Sequence, residues 1–332
     1  MNYNEEIDYS SLDCYLTCPR KFLFRYVMNL VPTGPPSLDL IFGSAWHYGM
    51  EKAFEYIQAN PGEQDHYLLT DIAATAFNQI WNHEAAQWFD ADAAFPKNPG
   101  RAADMFFKFF RDHLGTLLSD GAEIVGVEQP FTIHLNTLSE GQHQYPNYIG
   151  KLDLVLLREG KSVEVIDHKT AKFANDTTFN GFTASMQTDG YLTAGHMFYD
   201  ALPTITYYVA LCQKTKIDFF AHQIARRKAA IDRFLDDLLA RTVEIRNNLT
   251  LFEEEKHNQD KLYNPRCFRR KPGYACTLYF RKCEYYDICL SRNNPLLWHE
   301  EPPQGYEFKE WHPDNVSPAA ILEKEDNNVS QG

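Results

Sequence analysis

Apolar and polar positions alternate most regularly between Gly150 and Thr170, and this stretch predicts two strands. In the first, Asp153 shares a face with Val155 and Leu157, while Leu152, Leu154 and Leu156 take the other. Side chains two apart in a strand point the same way, so in the second strand Val163, Val165, Asp167 and Lys169 share a face. A turn at Arg158-Glu159-Gly160-Lys161 joins them. Asp167 and Lys169 therefore sit side by side at the end of an apolar strand, within reach of Asp153.

The pattern elsewhere is mostly helical. Ser10-Ser11-Leu12-Asp13 has the form of a capping box opening a short helix that stops before Cys18-Pro19. Pro19 suits the first position of a second helix, Arg20 to about Met28. Val31 to Pro36 is a loop, and a helix beginning near Leu40 puts His47, Met50, Glu51 and Phe54 on one face. Tyr67 to Leu118 reads as two or three amphipathic helices broken at Phe95–Gly100, packed by Trp81, Trp88, Phe106, Phe107, Phe109 and Phe110. Glu123 to Leu135 reads as a strand carrying Glu128. Phe182 to about Tyr199 is helical, Ile205–Leu211 and Lys216–Gln223 are strands, and Lys228 to about Asn247 is a long amphipathic helix. The fold expected is α/β, a central mixed sheet flanked by helices, with a helical insertion at about 60–120. One domain spans 1–300, and a loosely ordered tail follows over 301–332.

Charge narrows the partners. The chain has 45 acidic and 32 basic residues, a net charge of -13, which excludes a broad DNA-coating surface. It leaves room for a local basic track at Arg20-Lys21 with Arg25, at Arg226-Arg227-Lys228, or at Arg266 with Arg269-Arg270-Lys271. The opening Met1–Glu6 is polar and acidic, unlike a secretory signal, and no apolar run approaches membrane-spanning length. A soluble, intracellular chain with no membrane partner is expected. Two carboxylates and an amine converging at a sheet rim are costly to bury unless they bind something. A hard divalent cation suits them, because Mg²⁺ takes one or two carboxylates plus water and phosphate oxygens.

Gly150-x-x-Asp153, a spacer, then Asp167-x-Lys169 in an apolar strand resembles the PD-(D/E)xK nuclease superfamily, with its restriction-endonuclease-like core. More narrowly it resembles the RecB-type branch, which includes AddB-like and CRISPR-associated iron–sulfur exonucleases. Cys18-Pro19-Arg20-Lys21-Phe22, Gly43-x-x-x-His47 and Gln187-x-x-x-Tyr191 are similar to other motifs of that branch. The resemblance implies Mg²⁺ or Mn²⁺ held by His47, Asp153, Asp167 and the carbonyl of His168. It implies a catalytic Lys169 that orients the attacking water or stabilises the transition state, and Gln187 and Tyr191 against the nucleic acid. Glu128 is either a supplementary acid or an edge-strand carboxylate in solvent.

Seven cysteines without secretory context argue against a disulfide framework. In the iron–sulfur members of the branch one cysteine precedes the core and three follow it, which implies a 4Fe–4S cluster on Cys18, Cys276, Cys283 and Cys289. The interval Cys276-x6-Cys283 is longer than is common there, Cys14 or Cys267 could replace one ligand, and Zn²⁺ on four thiolates is the competing metal. The implied activity is metal-dependent hydrolysis of DNA, exonucleolytic on single-stranded ends, in recombination, repair or replication, with protein partners from those processes. Two other functions stay open. One is a nucleic-acid-binding or recombination partner using the fold as a scaffold, and the other an iron–sulfur or zinc interaction protein.

Overall fold

The alternating stretch becomes two adjacent strands, and a sheet is built outward from them. The structure, a computed structural model, describes residues 3, 5–138, 145–158, 162–277, 281–291 and 293–310. Positions 159–161 of the expected turn and 311–332 of the expected tail lie outside the described residues. The chain forms two compact units, one of Met1–Gly34, Thr132–Gly150 and Leu235–Pro313, the other built on Pro35–Phe131 and Lys151–Phe234. In chain order the elements are β1 (Glu6–Asp8), α1 (Tyr9–Thr17), α2 (Pro19–Phe22), β2 (Leu30–Pro32), α3 (Leu38–Ala59), α4 (His66–Glu84), α5 (Pro99–Asp112), α6 (Leu114–Leu117), β3 (Glu123–Ile133), β4 (Asn147–Arg158), β5 (Ser162–Ala171), α7 (Asp176–Thr183), α8 (Met186–Tyr199), β6 (Thr204–Cys212), β7 (Ile217–Ala225), α9 (Lys228–Glu255), α10 (Tyr286–Ser291) and β8 (Tyr306–Phe308).

In the second unit the sheet is mixed. β4 and β5 run antiparallel with Leu154 opposite Ile166 and Val155 opposite Val165. β5 and β6 are parallel with Asp167 opposite Tyr207, β7 closes antiparallel on β6, and β3 pairs with β4. β5 is buried on both faces from Val163 to His168, as a central strand covered by helices must be. Leu154, Leu156, Ile166, Tyr208 and Ala210 pack against the buried faces of α3, α4 and α5. Leu154, Leu156 and Ile166, all fully buried, each contribute roughly 1.5–3 kcal/mol. Gly49 lets α3 approach its neighbours, since a Cβ there would overlap the Phe106 ring and the Ala73 carbonyl. Gly43, by contrast, would meet only Thr170 Oγ1 at 3.9 Å, so packing does not require it. On the opposite face Phe182 stacks on Tyr207 at 4.5 Å and Thr188 Oγ1 lies 2.7 Å from the Tyr207 hydroxyl.

The helix ends follow their caps. Asp65 accepts hydrogen bonds from Tyr67 N and Leu68 N, and Asn98 accepts one from Arg101 N ahead of Pro99. Phe182–Tyr199 is not one helix, because Ser185 caps a new one at Gln187 N. Trp88 is 48% exposed, whereas Trp81, Phe106, Phe109 and Phe110 are buried in the helical insertion.

In the first unit the capping box lies earlier than Ser10. Asp8 accepts from Ser10 N and Ser11 N, and Asp8 N donates to Ser11 Oγ. β1 pairs in parallel with Asn147–Ile149, and β2, which overlaps the start of the expected loop, pairs with β8. The buried Arg20 donates from Nε to the Phe268 carbonyl at 2.9 Å, Phe22 stacks on Phe268, and the Tyr285 hydroxyl donates to the Leu30 carbonyl. These contacts join the segment 20–30 to residues 268–285 within the first unit.

Candidate active site

Strand alternation sends successive residues of β5 to different surroundings. The His168 ring goes into the helical core, stacked on Phe54 at 5.6 Å and edge-on to Phe109 at 5.7 Å. Burial pushes its pKa down to about 3, so the ring is neutral. Asp167 and Lys169 face the other way. Lys169 Nζ donates to Asp167 Oδ1 at 2.9 Å and lies 2.7 Å from Oδ2, while Tyr207 lies beneath the amine at 6.0 Å. The approach to Oδ2 is poorly angled. That oxygen is fully buried and, among the described residues, has no hydrogen bond. Burial, opposed by Lys169, pushes the Asp167 carboxyl up to about 6.

Antiparallel pairing brings β4 alongside. Asp153 Oδ2 accepts from His168 N at 3.0 Å and lies 3.0 Å from His47 Nδ1 on α3. Burial alone would lower His47 and raise Asp153. Their mutual attraction wins in both, so the imidazole titrates above its ordinary range and the carboxyl below its own. Glu128 on β3 completes the cluster, with one ligand atom each from His47, Glu128 and Asp153 lying within 4.8 Å of one another. Glu128 has φ 44, a left-handed backbone that costs a side-chain-bearing residue roughly 1–2 kcal/mol. Such strain clusters where a side chain must be aimed. Nothing in the local sequence signals that backbone, which is why the sequence left Glu128 undecided.

Burial, then the charge of Asp153, pushes Glu128 up to about 8. A carboxyl raised in the fold contributes fully below its unfolded pKa, near 4.5, and loses that contribution as pH rises through 8. Glu128→Gln should therefore melt higher than the parent in EDTA at pH 8.5, by about 1–3 kcal/mol after allowing for partial exposure. The advantage should be absent at pH 4.5. Equal melting at both pH values would show that Glu128 is not buried against Asp153.

On α8, Gln187 Nε2 donates to the Tyr191 hydroxyl at 3.0 Å, and Tyr191 packs edge-on to Phe131. This pair is joined as the spacing predicts. Several candidate basic residues are already engaged. Arg226 Nε donates to Asp189 at 2.8 Å, Arg266 Nε to Glu255 at 2.6 Å, and Lys21 lies 3.3 Å from Glu284.

In the first unit Cys18, Cys276, Cys283 and Cys289 line one cavity of about 30 Å³ with Arg20, Lys21 and Arg270. Cys283 N donates to the Cys276 carbonyl at 2.9 Å, and Lys271 N approaches Cys18 Sγ at 3.5 Å. Cys14 and Cys267 are not among the described lining residues, and burial pushes each up to about 12. Among the described residues, no three of the four lining sulfurs lie within 4.8 Å of one another.

A family model described as the PD-(D/E)XK nuclease superfamily matches residues 7–290. The chain belongs to the PD-(D/E)XK nuclease superfamily. Among solved structures, this nuclease is similar to a candidate exonuclease from Eubacterium rectale at 12% identity, covering 74% of this chain and 82% of that one with TM-score 0.43. It is also similar to SSO0001 at 14% identity, covering 71% and 76%, with TM-score 0.27. No curated protein matches the chain. Among the described residues no helix of the nuclease is long and apolar enough to cross a membrane.

Proposed function

We propose that this nuclease hydrolyses DNA phosphodiesters with Mg²⁺ or Mn²⁺, working as an exonuclease on single-stranded ends. The observation that carries the metal-dependent reading is the meeting of His47, Glu128 and Asp153, with one ligand atom each within 4.8 Å of one another, next to the fully buried Asp167 on the neighbouring strand β5. Carboxylates buried together are costly, and a divalent cation offsets the cost. His47, Glu128, Asp153, Asp167 and the His168 carbonyl would hold it. A bound cation lowers the pKa of water and offsets charge developing on the phosphate. Lys169, fixed by Asp167 and Tyr207, would orient the attacking water and stabilise the negative charge of the transition state. Gln187 and Tyr191 would position the strand. The preference for single-stranded ends rests on the resemblance of Gly43–His47 and Gln187–Tyr191 to the RecB-type motifs.

For the cysteines we propose a 4Fe–4S cluster. The reading rests on the resemblance of these four positions to the ligands of the iron–sulfur branch, and Arg20, Lys21 and Arg270 around the cavity suit negative thiolates. Its contribution would be structural.

End-labelled single- and double-stranded oligonucleotides, incubated with Mg²⁺ and with EDTA, test the activity. Mononucleotide release from single strands with Mg²⁺, and none with EDTA, is expected. Binding without cleavage in Mg²⁺ would favour a scaffold. His47 gives a finer test. Its proton must leave before the imidazole can ligate, so metal affinity should fall on acidification. His47→Ala should lose most activity at limiting Mn²⁺ and recover part of it at high Mn²⁺. A titration curve matching the parent's would reduce His47 to an ion-pair partner of Asp153.

A further inference from the structure

A second cluster of ligating side chains lies in the first unit, in residues that share no motif. His257, just past α9, and His299 with Glu300, at the turn Pro295–His299, place one ligand atom each within 4.8 Å of one another. Glu300 Oε1 is 3.8 Å from His299 Nε2 and 4.0 Å from His257 Nδ1. The two imidazole rings sit 5.6 Å apart at 71°.

Three features distinguish this group from a chance meeting of surface charges. First, His299 Nδ1 lies 2.9 Å from the Leu296 carbonyl, which can only accept. That bond fixes the proton on Nδ1 and leaves the Nε2 lone pair facing Glu300, which is how ligating histidines are oriented. Second, the ring is seated edge-on against Phe252 and is 16% exposed, so it does not sweep through rotamers. Third, the two segments are clamped together by a fully buried side chain. Asn294 Nδ2 donates to the carbonyls of Asn258 at 2.7 Å and Asp260 at 2.9 Å, while its Oδ1 accepts from Leu296 N. The clamp holds the chain one residue beyond His257 against the turn that carries His299. His257 and Glu300 are exposed and free to close the remaining fraction of an ångström.

We propose that His257, His299 and Glu300 form a Zn²⁺ site separate from the candidate active site. Two imidazoles and one carboxylate suit zinc, at ligand distances of about 2.0–2.2 Å, with a fourth position left to solvent. Mg²⁺ prefers an oxygen shell, so two imidazoles with one carboxylate fit it less well than they fit zinc. The bound ion ties the end of α9 to the Pro295–His299 turn and stabilises the first unit.

Zn²⁺ titration of the EDTA-stripped full chain, followed by calorimetry and by melting temperature, tests this. The parent and Asp167→Ala should both bind this equivalent and melt higher with Zn²⁺. His257→Ala, an exposed change that leaves the fold intact, should lose one equivalent of zinc, and Glu300→Gln should bind it at least tenfold more weakly. The same loss on a Cys283→Ser background separates the site from the thiolates. Equal zinc stoichiometry and equal zinc-dependent melting in the parent and both variants would overturn the proposal.

Discussion

Asp167→Asn is expected to reduce Mg²⁺-dependent cleavage by on the order of a thousandfold or more while the protein stays folded. The substitution keeps the shape of a side chain buried to 0% exposure, so no cavity opens under β6. It replaces a carboxylate that is buried against the Lys169 amine, and removes an acid whose pKa burial pushes up to about 6. That acid contributes fully to folding below its ordinary pKa and loses the contribution as pH rises through 6. In EDTA at pH 7.5 the Asn variant should therefore melt no lower than the parent. Lost cleavage with unchanged circular dichroism and melting is the signature of a metal ligand. A salt-bridge partner of Lys169 with no other role would give the reverse, lower melting with cleavage retained. Full cleavage by a contaminant-free Asp167→Asn preparation would remove the acidic cluster from the chemistry.

The strand pair was legible because its information is local. Alternation over Asp153–Leu157 and Val163–Lys169 sets which residues share a face, and pairing in register then brings Asp153 to His168 N with no further freedom. Gln187 and Tyr191 meet for the same reason, being one helical turn apart. Features that depend on distant segments were not legible. Glu128 joins His47 and Asp153 only because its backbone turns left-handed inside β3, and no residue type announces that at a glutamate. The close approach to α3 falls at Gly49 and not at Gly43, which depends on where Phe106 and Ala73 come to rest. Asp8, rather than Ser10, caps α1 because a carboxylate can accept from two amides at once. His257 and His299 share no spacing at all, and a buried asparagine between distant carbonyls brings them near.

The cysteine cavity carries the other large effect. Anaerobically purified protein should be brown, with iron and acid-labile sulfide in near-equal amounts, and should bleach on reduction. Cys283→Ser is the most direct probe, because Cys283 lines the cavity and its amide already closes the loop on the Cys276 carbonyl. Losing a ligand should remove the colour and lower the melting temperature, since a group bound only by the folded state stabilises it by mass action. The protein should not unfold outright. Arg20 on the Phe268 carbonyl, Tyr285 on the Leu30 carbonyl and the Phe22–Phe268 stack hold the same segments without it. Cys267→Ser serves as the control, because Cys267 is fully buried and is not among the described lining residues; it should keep the colour even if packing suffers. Colourless parent protein with one zinc on the same four cysteines would replace the cluster with a single ion. If Cys283→Ser instead keeps the parent's metal content and melting temperature, the four cysteines are not ligands. The acidic site of Asp153 and Asp167 would be untouched by that result, because its test is cleavage and not colour.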